Sequence, residues 1–268
     1  MIFRWIAALS GLTGVVCGCL GGLWRGLLGF CFGYLGLTAL ALLFLGVICA
    51  LVDTSKPQEE DSKFYRAVMY PYIEMLMQLM LVKVSSSGTE KVPTDGRFVL
   101  VCNHLQLADP GVVLHCFPKS QLAFISKQEN RKLPVVGKFM HKILCQMIDR
   151  DNDRQALRVI LKCVQLIKED KVSIGVFPEG YTSKDGRLQP FRNGVFKIAQ
   201  KARVPIVVCT VRGTRDIFAN VKKLRRTHVE LRLVAVIPAS ELEGKTAVEI
   251  GDRVHGIMAA DLGPELVA

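Results

Sequence analysis

The chain has 268 residues, half of them hydrophobic, yet it carries a formal net charge of +11 and a pI near 9.3. That length and apolar content exclude a disordered chain, a collagen-like repeat and a small disulfide scaffold. A mean hydropathy of +0.30 beside such basicity also argues against one plain soluble domain.

The two properties lie in different places. Residues 1–52 hold only two charged side chains, Arg4 and Arg25, and so contain two long apolar runs, Trp5–Trp24 and Gly26–Val52. Each is long enough for a membrane helix, which needs roughly 20 residues. A cleavable leader is the competing reading, but its apolar core is only about 7–15 residues long and no second run follows it. Gly14, Gly18, Gly22 and Gly26 recur every fourth residue, and Gly29 and Gly33 repeat the step. This small-residue stripe predicts that the two helices pack on each other, either as full spans or as a hairpin dipping into one leaflet. From Asp61 onward there are 32 Lys and Arg against 21 Asp and Glu, so the whole positive excess belongs to the remainder. The basic excess suits an anionic, cytoplasmic membrane face. Nine cysteines, an odd number without a C-x-x-C pair, argue against disulfides or a zinc site and for a reducing compartment.

Asp53–Lys63 is polar and reads as a linker, and Phe64–Val84 as an amphipathic helix kinked at Pro71. The expected domains are therefore membrane helices over 1–52, a linker and amphipathic helix over 53–84, and an α/β domain over 85–268. Ser85–Arg97 is turn-rich. Buried strands are predicted at Phe98–Cys102, Leu122–Ser126, Cys145–Ile148, Val172–Phe177, Pro205–Val211 and Val229–Ile237. Helices are predicted at Asp153–Asp170 with Asp153 as cap, at Arg192–Arg203 and at Thr246–Leu262. The alternation implies an α/β fold with a mainly parallel sheet flanked by helices, whose sites form at the carboxyl ends of strands.

Two such ends carry reactive residues. After the first strand comes Asn103-His104-Leu105-Gln106-Leu107-Ala108-Asp109, with Asp109 and Pro110 starting a helix. A loop that turns back lets the Asp109 carboxylate fix the His104 tautomer, leaving the other ring nitrogen to take a proton from a hydroxyl. A surface histidine near a helix start is the competing reading. After another strand comes Phe177-Pro178-Glu179-Gly180-Tyr181-Thr182-Ser183, which by itself is also compatible with an ordinary turn.

Together, His-x-x-x-x-Asp and Phe-Pro-Glu-Gly about 70 residues later resemble the glycerolipid acyltransferase family, nearest to its 1-acylglycerol-3-phosphate O-acyltransferase branch. Lys127 through Pro134-Val135-Val136-Gly137 to Arg150 is similar to the family's second block. Phe191-Arg192-Asn193-Gly194 resembles its Phe-Lys-x-Gly helix start, and Val204-Pro205-Ile206-Val207 its fourth block. The resemblance runs from about Phe64 to Val211.

The resemblance implies acyl transfer from an acyl-carrier-protein or coenzyme A thioester to the free hydroxyl of lysophosphatidic acid, giving phosphatidic acid in phospholipid biosynthesis, with no other cofactor and no metal. It implies His104 as general base and Asp109 as its orienter. Asn103, Glu179 and Gly180 would help hold the acceptor, and Lys127, Arg150 and Arg192 its phosphate, to which cations are suited. No G-x-S-x-G elbow is present, and Cys102 at a strand end reads as packing. One departure stands out: Tyr181-Thr182 occupies the place of the family's Thr-Arg. Lys184, Arg187 or Arg192 is then the substitute cation, or the acceptor is a different lysophospholipid. A lipid hydrolase and a non-catalytic lipid-binding scaffold are the more distant alternatives. The basic stretch Arg212, Arg215, Lys222, Lys223, Arg225 and Arg226 lacks interleaved aromatics, so it suits anionic lipid or an acidic carrier protein rather than nucleic acid. The expected location is the membrane, with the catalytic domain on the cytoplasmic side.

Overall fold

The computed structural model describes residues 2–149 and 152–268. Its elements are α1 (Ile2–Gly21), α2 (Leu23–Ala50), α3 (Lys63–Leu79), β1 (Val82–Ser87), β2 (Val99–Cys102), α4 (Asp109–Cys116), β3 (Leu122–Lys127) and α5 (Val136–Lys142). There follow β4 (Gln146–Ile148), α6 (Asp153–Lys168), β5 (Ser173–Val176), α7 (Lys197–Ala202), β6 (Ile206–Arg212), α8 (Ile217–Lys222), β7 (Thr227–Ile237) and α9 (Ala247–Leu262).

The two apolar runs form a helical hairpin joined at Gly22, whose φ of +83° only glycine adopts cheaply. The predicted glycine stripe is its seam. A Cβ on Gly26 would lie 3.1 Å from the Gly14 carbonyl oxygen and 3.2 Å from Gly18 Cα, so any side chain there would push the helices apart. Thr13 Oγ1 donates across the seam to the Gly29 carbonyl at 3.2 Å. By length and composition both helices could cross a membrane, and their outward side chains, among them Trp5, Leu12, Leu20, Trp24, Phe32 and Leu43, are exposed and apolar.

Helix α3 joins this hairpin to the remainder. Ser62 caps it by accepting from Tyr65 N–H at 3.4 Å, and Pro71 lies within it. Tyr65 Oη donates to the Ile48 carbonyl at 2.9 Å and Tyr72 Oη to the Ala41 carbonyl at 2.5 Å. Seven residues separate both the donors and the acceptors, so α3 runs antiparallel along the last turns of α2. On its other side Arg66 forms a buried ion pair with Asp61 at 2.7 Å and donates to the Leu122 carbonyl at 2.9 Å. The end of the second apolar run and the expected linker are held against the domain: Lys138 Nζ donates to the Val52 carbonyl at 2.7 Å, and Lys142 Nζ to Gln58 Oε1 at 3.0 Å.

The described residues form a seven-stranded sheet in the order β1-β7-β6-β2-β5-β3-β4. Every neighbouring pair is parallel except β6 and β7. β2, β5 and β6 are buried almost throughout, which accounts for their uninterrupted apolar runs. All six predicted strands are present, with ends shifted by at most two residues.

Several expectations are corrected. β1 crosses the expected boundary after Val84, where a helix tail and turns were read. The chain leaves α3 through Leu81 in the left-handed region (φ +54°), a break that leucine composition does not advertise. Asn152, not Asp153, caps α6, its side chain accepting from Gln155 N–H at 3.0 Å. The helix expected at Arg192–Arg203 divides into a 3₁₀ turn over Asn193–Phe196 and the short α7. Helices α5 and α8 went unpredicted because each spans only six or seven residues, too few to show a 3.6-residue period.

Candidate active site

The site is built from the loops that follow β2 and β5, neighbours in the sheet. β2 ends in the fully buried Cys102, whose thiol pKa burial pushes well up, so it is a packing residue and not a thiolate nucleophile. Asn103 is also buried. Its Nδ2 donates to the Val211 carbonyl at 3.0 Å while its Oδ1 accepts from Val211 N–H at 2.7 Å. The amide is thus committed to β6 and fixes where the loop departs, instead of facing a ligand as expected.

The loop then folds back on itself. Asp109 is the first residue of α4, not its cap; Ala108 holds that position and makes no side-chain cap. Freed from capping, the Asp109 carboxylate turns to the preceding loop. Its Oδ2 accepts from Leu105 N–H and Gln106 N–H, each at 2.7 Å, and lies 2.8 Å from His104 Nδ1. Asp109 has no exposed surface, and its Oδ1 makes no hydrogen bond among the described residues. A buried carboxylate at this distance favours the tautomer with the proton on Nδ1, which in the neutral ring leaves Nε2 as the acceptor.

The ring is held from its face as well. His104 stacks on Phe177 with centroids 4.3 Å apart, and Phe177 stacks on Phe124 at 5.7 Å. Phe124 can lie over β5 because Gly175 is its register partner, where a Cβ would come within 2.4 Å of the ring. Gly175 and Phe177 share one face of the strand. Sequence reading missed this aromatic wall, although a glycine inside a buried strand is the signal for such a close approach.

Glu179 also departs from expectation. It is 1% exposed, and its two oxygens accept from the main chain of separate segments: Oε1 from His104 N–H at 2.6 Å and Oε2 from Gln189 N–H at 3.0 Å. Ser183 N–H closes the same join by donating to the His104 carbonyl at 2.8 Å. Glu179 therefore ties the two loops together rather than reaching into solvent. Burial pushes its pKa up to about 7; the two N–H donors oppose that shift, and the nearby Asp109 and Asp185 charges add to it.

Gly180 takes φ +81°, and a Cβ there would meet Arg192 Cδ at 3.0 Å. The Arg192 side chain thus crosses the Glu179–Gly180 turn, while the Arg192 main-chain N–H donates to the Pro178 carbonyl at 2.8 Å. Lys127 is exposed at the carboxyl end of β3, two strands from β2. Arg150, expected beside it, lies outside the described residues. Tyr181, Thr182, Lys184 and Arg187 are exposed on the rim. Two arginines of the basic stretch are already engaged. Arg215 braces the rim turn by donating to the Asp185 and Lys184 carbonyls at 2.5 and 2.9 Å. Arg212 pairs with Asp261 at 3.5 Å and Glu230 at 3.7 Å.

The arrangement is an imidazole oriented by a buried carboxylate at the ends of parallel strands. Comparison with known proteins shows the family and the fold. Residues 83–212 match the family model described as Acyltransferase. The chain is 28% identical to the 1-acyl-sn-glycerol-3-phosphate acyltransferase of Cocos nucifera over 68% of this chain, spanning 59% of that relative's length. It is 30% identical to the probable 1-acyl-sn-glycerol-3-phosphate acyltransferase of Mycoplasma pneumoniae, over 75% of this chain and 79% of that one. The crystal structure of the 1-acyl-sn-glycerophosphate (LPA) acyltransferase PlsC of Thermotoga maritima shares the fold. Its TM-score is 0.63 at 23% identity, covering 82% of this chain and 86% of that one.

Proposed function

Since the chain belongs to the acyltransferase family of the 1-acyl-sn-glycerol-3-phosphate acyltransferases, we propose that it moves an acyl group from a thioester to the free hydroxyl of lysophosphatidic acid at a membrane. The observation that carries this reading is the His104–Asp109 contact at 2.8 Å with the second ring nitrogen left over. As the acceptor hydroxyl attacks the thioester carbonyl, Nε2 takes its proton. The tetrahedral intermediate then collapses, the thiolate leaves, and the imidazolium returns that proton to it. The Asp109 carboxylate stabilises the imidazolium. No covalent acyl-enzyme is required, in keeping with the buried, protonated Cys102 thiol. The donor is an acyl-carrier-protein or coenzyme A thioester, and no further cofactor takes part.

Lys127 and Arg192 are the cations that would hold the acceptor phosphate, with Arg150 as a third from the sequence. Gly180 keeps the turn below Arg192 low. Asn103 and Glu179 act indirectly, by fixing the main chain around His104. The hairpin places the enzyme in the membrane with its domain on the cytoplasmic side, as the positive excess suggests. A second acceptor class is favoured by one observation: Tyr181 and Thr182, both exposed, stand in place of the Thr-Arg of the resembled motif.

One assay separates these readings. Purified protein is given a labelled thioester donor and a panel of lysophospholipids. Phosphatidic acid as the main product supports the first reading. Preference for another head group moves the assignment to that acceptor. Acyl release that ignores added lysolipid overturns both in favour of hydrolysis.

A further inference from the structure

The turn between α8 and β7 reads Lys222-Lys223-Leu224-Arg225-Arg226. Leu224 is 84% exposed, more than any other large hydrophobic residue among those described, and all four flanking cations are exposed too. Leu224 adopts φ +54° because it ends α8: its N–H donates to the Val221 carbonyl at 3.0 Å and the Arg225 N–H to the Asn220 carbonyl at 2.9 Å. The helix end accounts for the backbone, but the solvent-facing leucine side chain between four positive charges has no packing role in the domain.

Its position supplies one. Arg212 at the end of β6 pairs with Glu230, so the start of β7 lies at the sheet edge where β2 and β5 deliver His104 and Glu179. Thr227 N–H, one residue after the turn, donates to the Leu81 carbonyl at 3.0 Å, which sets the turn beside the end of α3. Tyr65, Tyr72, Leu76 and Leu79 form one stripe of α3 at spacings of seven, four and three. The first two bond to α2, and the last two are exposed. The apolar surface of the hairpin therefore continues along α3 to Leu79 and ends next to the Lys222–Arg226 turn.

We propose that the Lys222–Arg226 turn is a second membrane contact, with Leu224 inserted into an anionic bilayer and its four flanking cations on the head groups. The inference rests on the reading of α1 and α2 as membrane helices of a lipid-modifying enzyme, and adds a surface that sets the active-site edge against the bilayer. Two features favour a bilayer over an acidic protein: an apolar tip at the centre of the charge, and an apolar surface continuous with the hairpin.

The test is lipid quenching of a single tryptophan in the full chain. Trp5 and Trp24 are replaced by Phe, and the probe is introduced as Leu224→Trp. Val248→Trp, an exposed site on α9 at the opposite sheet edge, serves as the reference in water. The protein is reconstituted into phosphatidylglycerol vesicles whose chains carry bromine about 5–10 Å below the head groups, the depth of interfacial side chains. The expected result is a blue-shifted emission at 224, quenched several-fold more strongly than at 248, with the quenching falling when phosphatidylcholine replaces the anionic lipid. Leu79→Trp carries the same expectation should the turn reject the larger ring. Quenching at 224 no stronger than at 248 overturns the proposal. So does a blue shift without bromine quenching, whether it follows protein concentration (a second copy) or addition of an acidic carrier protein. Acyl transfer by the same variants is measured in parallel. Turnover without quenching sinks this inference alone, whereas quenching without turnover sinks the enzymatic reading and leaves the surface standing.

Discussion

The hairpin and the α/β domain solve opposite packing problems. In the domain, large aliphatic and aromatic side chains fill the interior and polar groups face out. In the hairpin the smallest residues lie inside, at Gly14, Gly18 and Gly26, and the large apolar ones point outward. That inversion is what a lipid solvent selects, because burial gains nothing when the surroundings are themselves apolar. The candidate site lies in the domain, where buried strands hold a carboxylate and an imidazole in fixed relation.

The sharpest way to break this division is to remove the base. His104→Ala should lower turnover by about 10²–10⁴-fold, the usual contribution of a general base, with membrane recovery unchanged and a loss of about 1–3 kcal/mol in stability because the buried Asp109 carboxylate loses a partner. Full activity in that variant would falsify the mechanism. Next in size is the joint between the two regions. Arg66→Ala leaves Asp61 as a buried, unpaired carboxylate and removes the bond to Leu122. A loss of about 3–5 kcal/mol is expected, read from guanidinium unfolding of the detergent-solubilised protein. A change below about 1 kcal/mol, the worth of an exposed pair, would mean that α3 is not held to the domain there. Third, Gly26→Leu forces a branched side chain against the Gly14 carbonyl and Gly18 Cα. The overpacking costs about 1–3 kcal/mol and should appear as faster hydrogen exchange across α1 and α2, with exchange in the sheet unaltered.

Much of this was legible in the chain of letters because each signal was local. The glycine step predicted the seam, six apolar runs predicted six strands, and the five-residue spacing of His104 and Asp109 fits one loop folding back on itself. What escaped depends on partners distant in sequence. Asn103 looks like a ligand-binding residue until Val211, 108 positions away, takes both of its amide atoms. Glu179 looks exposed beside Gly180 until His104 and Gln189 claim its oxygens. β1, with three serines and partial burial at the sheet margin, has no pattern that separates it from the end of a helix.

The smallest expected effect concerns Glu179, and it tests whether the domain tolerates a buried charge for the sake of its site. In the folded state this carboxyl titrates near 7, against about 4.3 in an unfolded chain. Between those values the native state binds more protons than the unfolded one, so stability falls as pH rises. The contribution is complete below the unfolded value and is lost as pH passes through about 7. Glu179→Gln has no charge to bury, so it should flatten the decline of the unfolding midpoint between about pH 5 and 8. It also has a single acceptor oxygen, which leaves either the His104 or the Gln189 N–H unpaired at a cost of about 1–3 kcal/mol. The variant should therefore be less stable than the wild type at low pH and approach it at high pH, with kcat reduced more than KM is changed, since the loop holding His104 loosens while no acceptor contact is removed. A pH slope that survives the substitution would assign the titration elsewhere, and an effect on KM alone would return Glu179 to the binding of the acceptor.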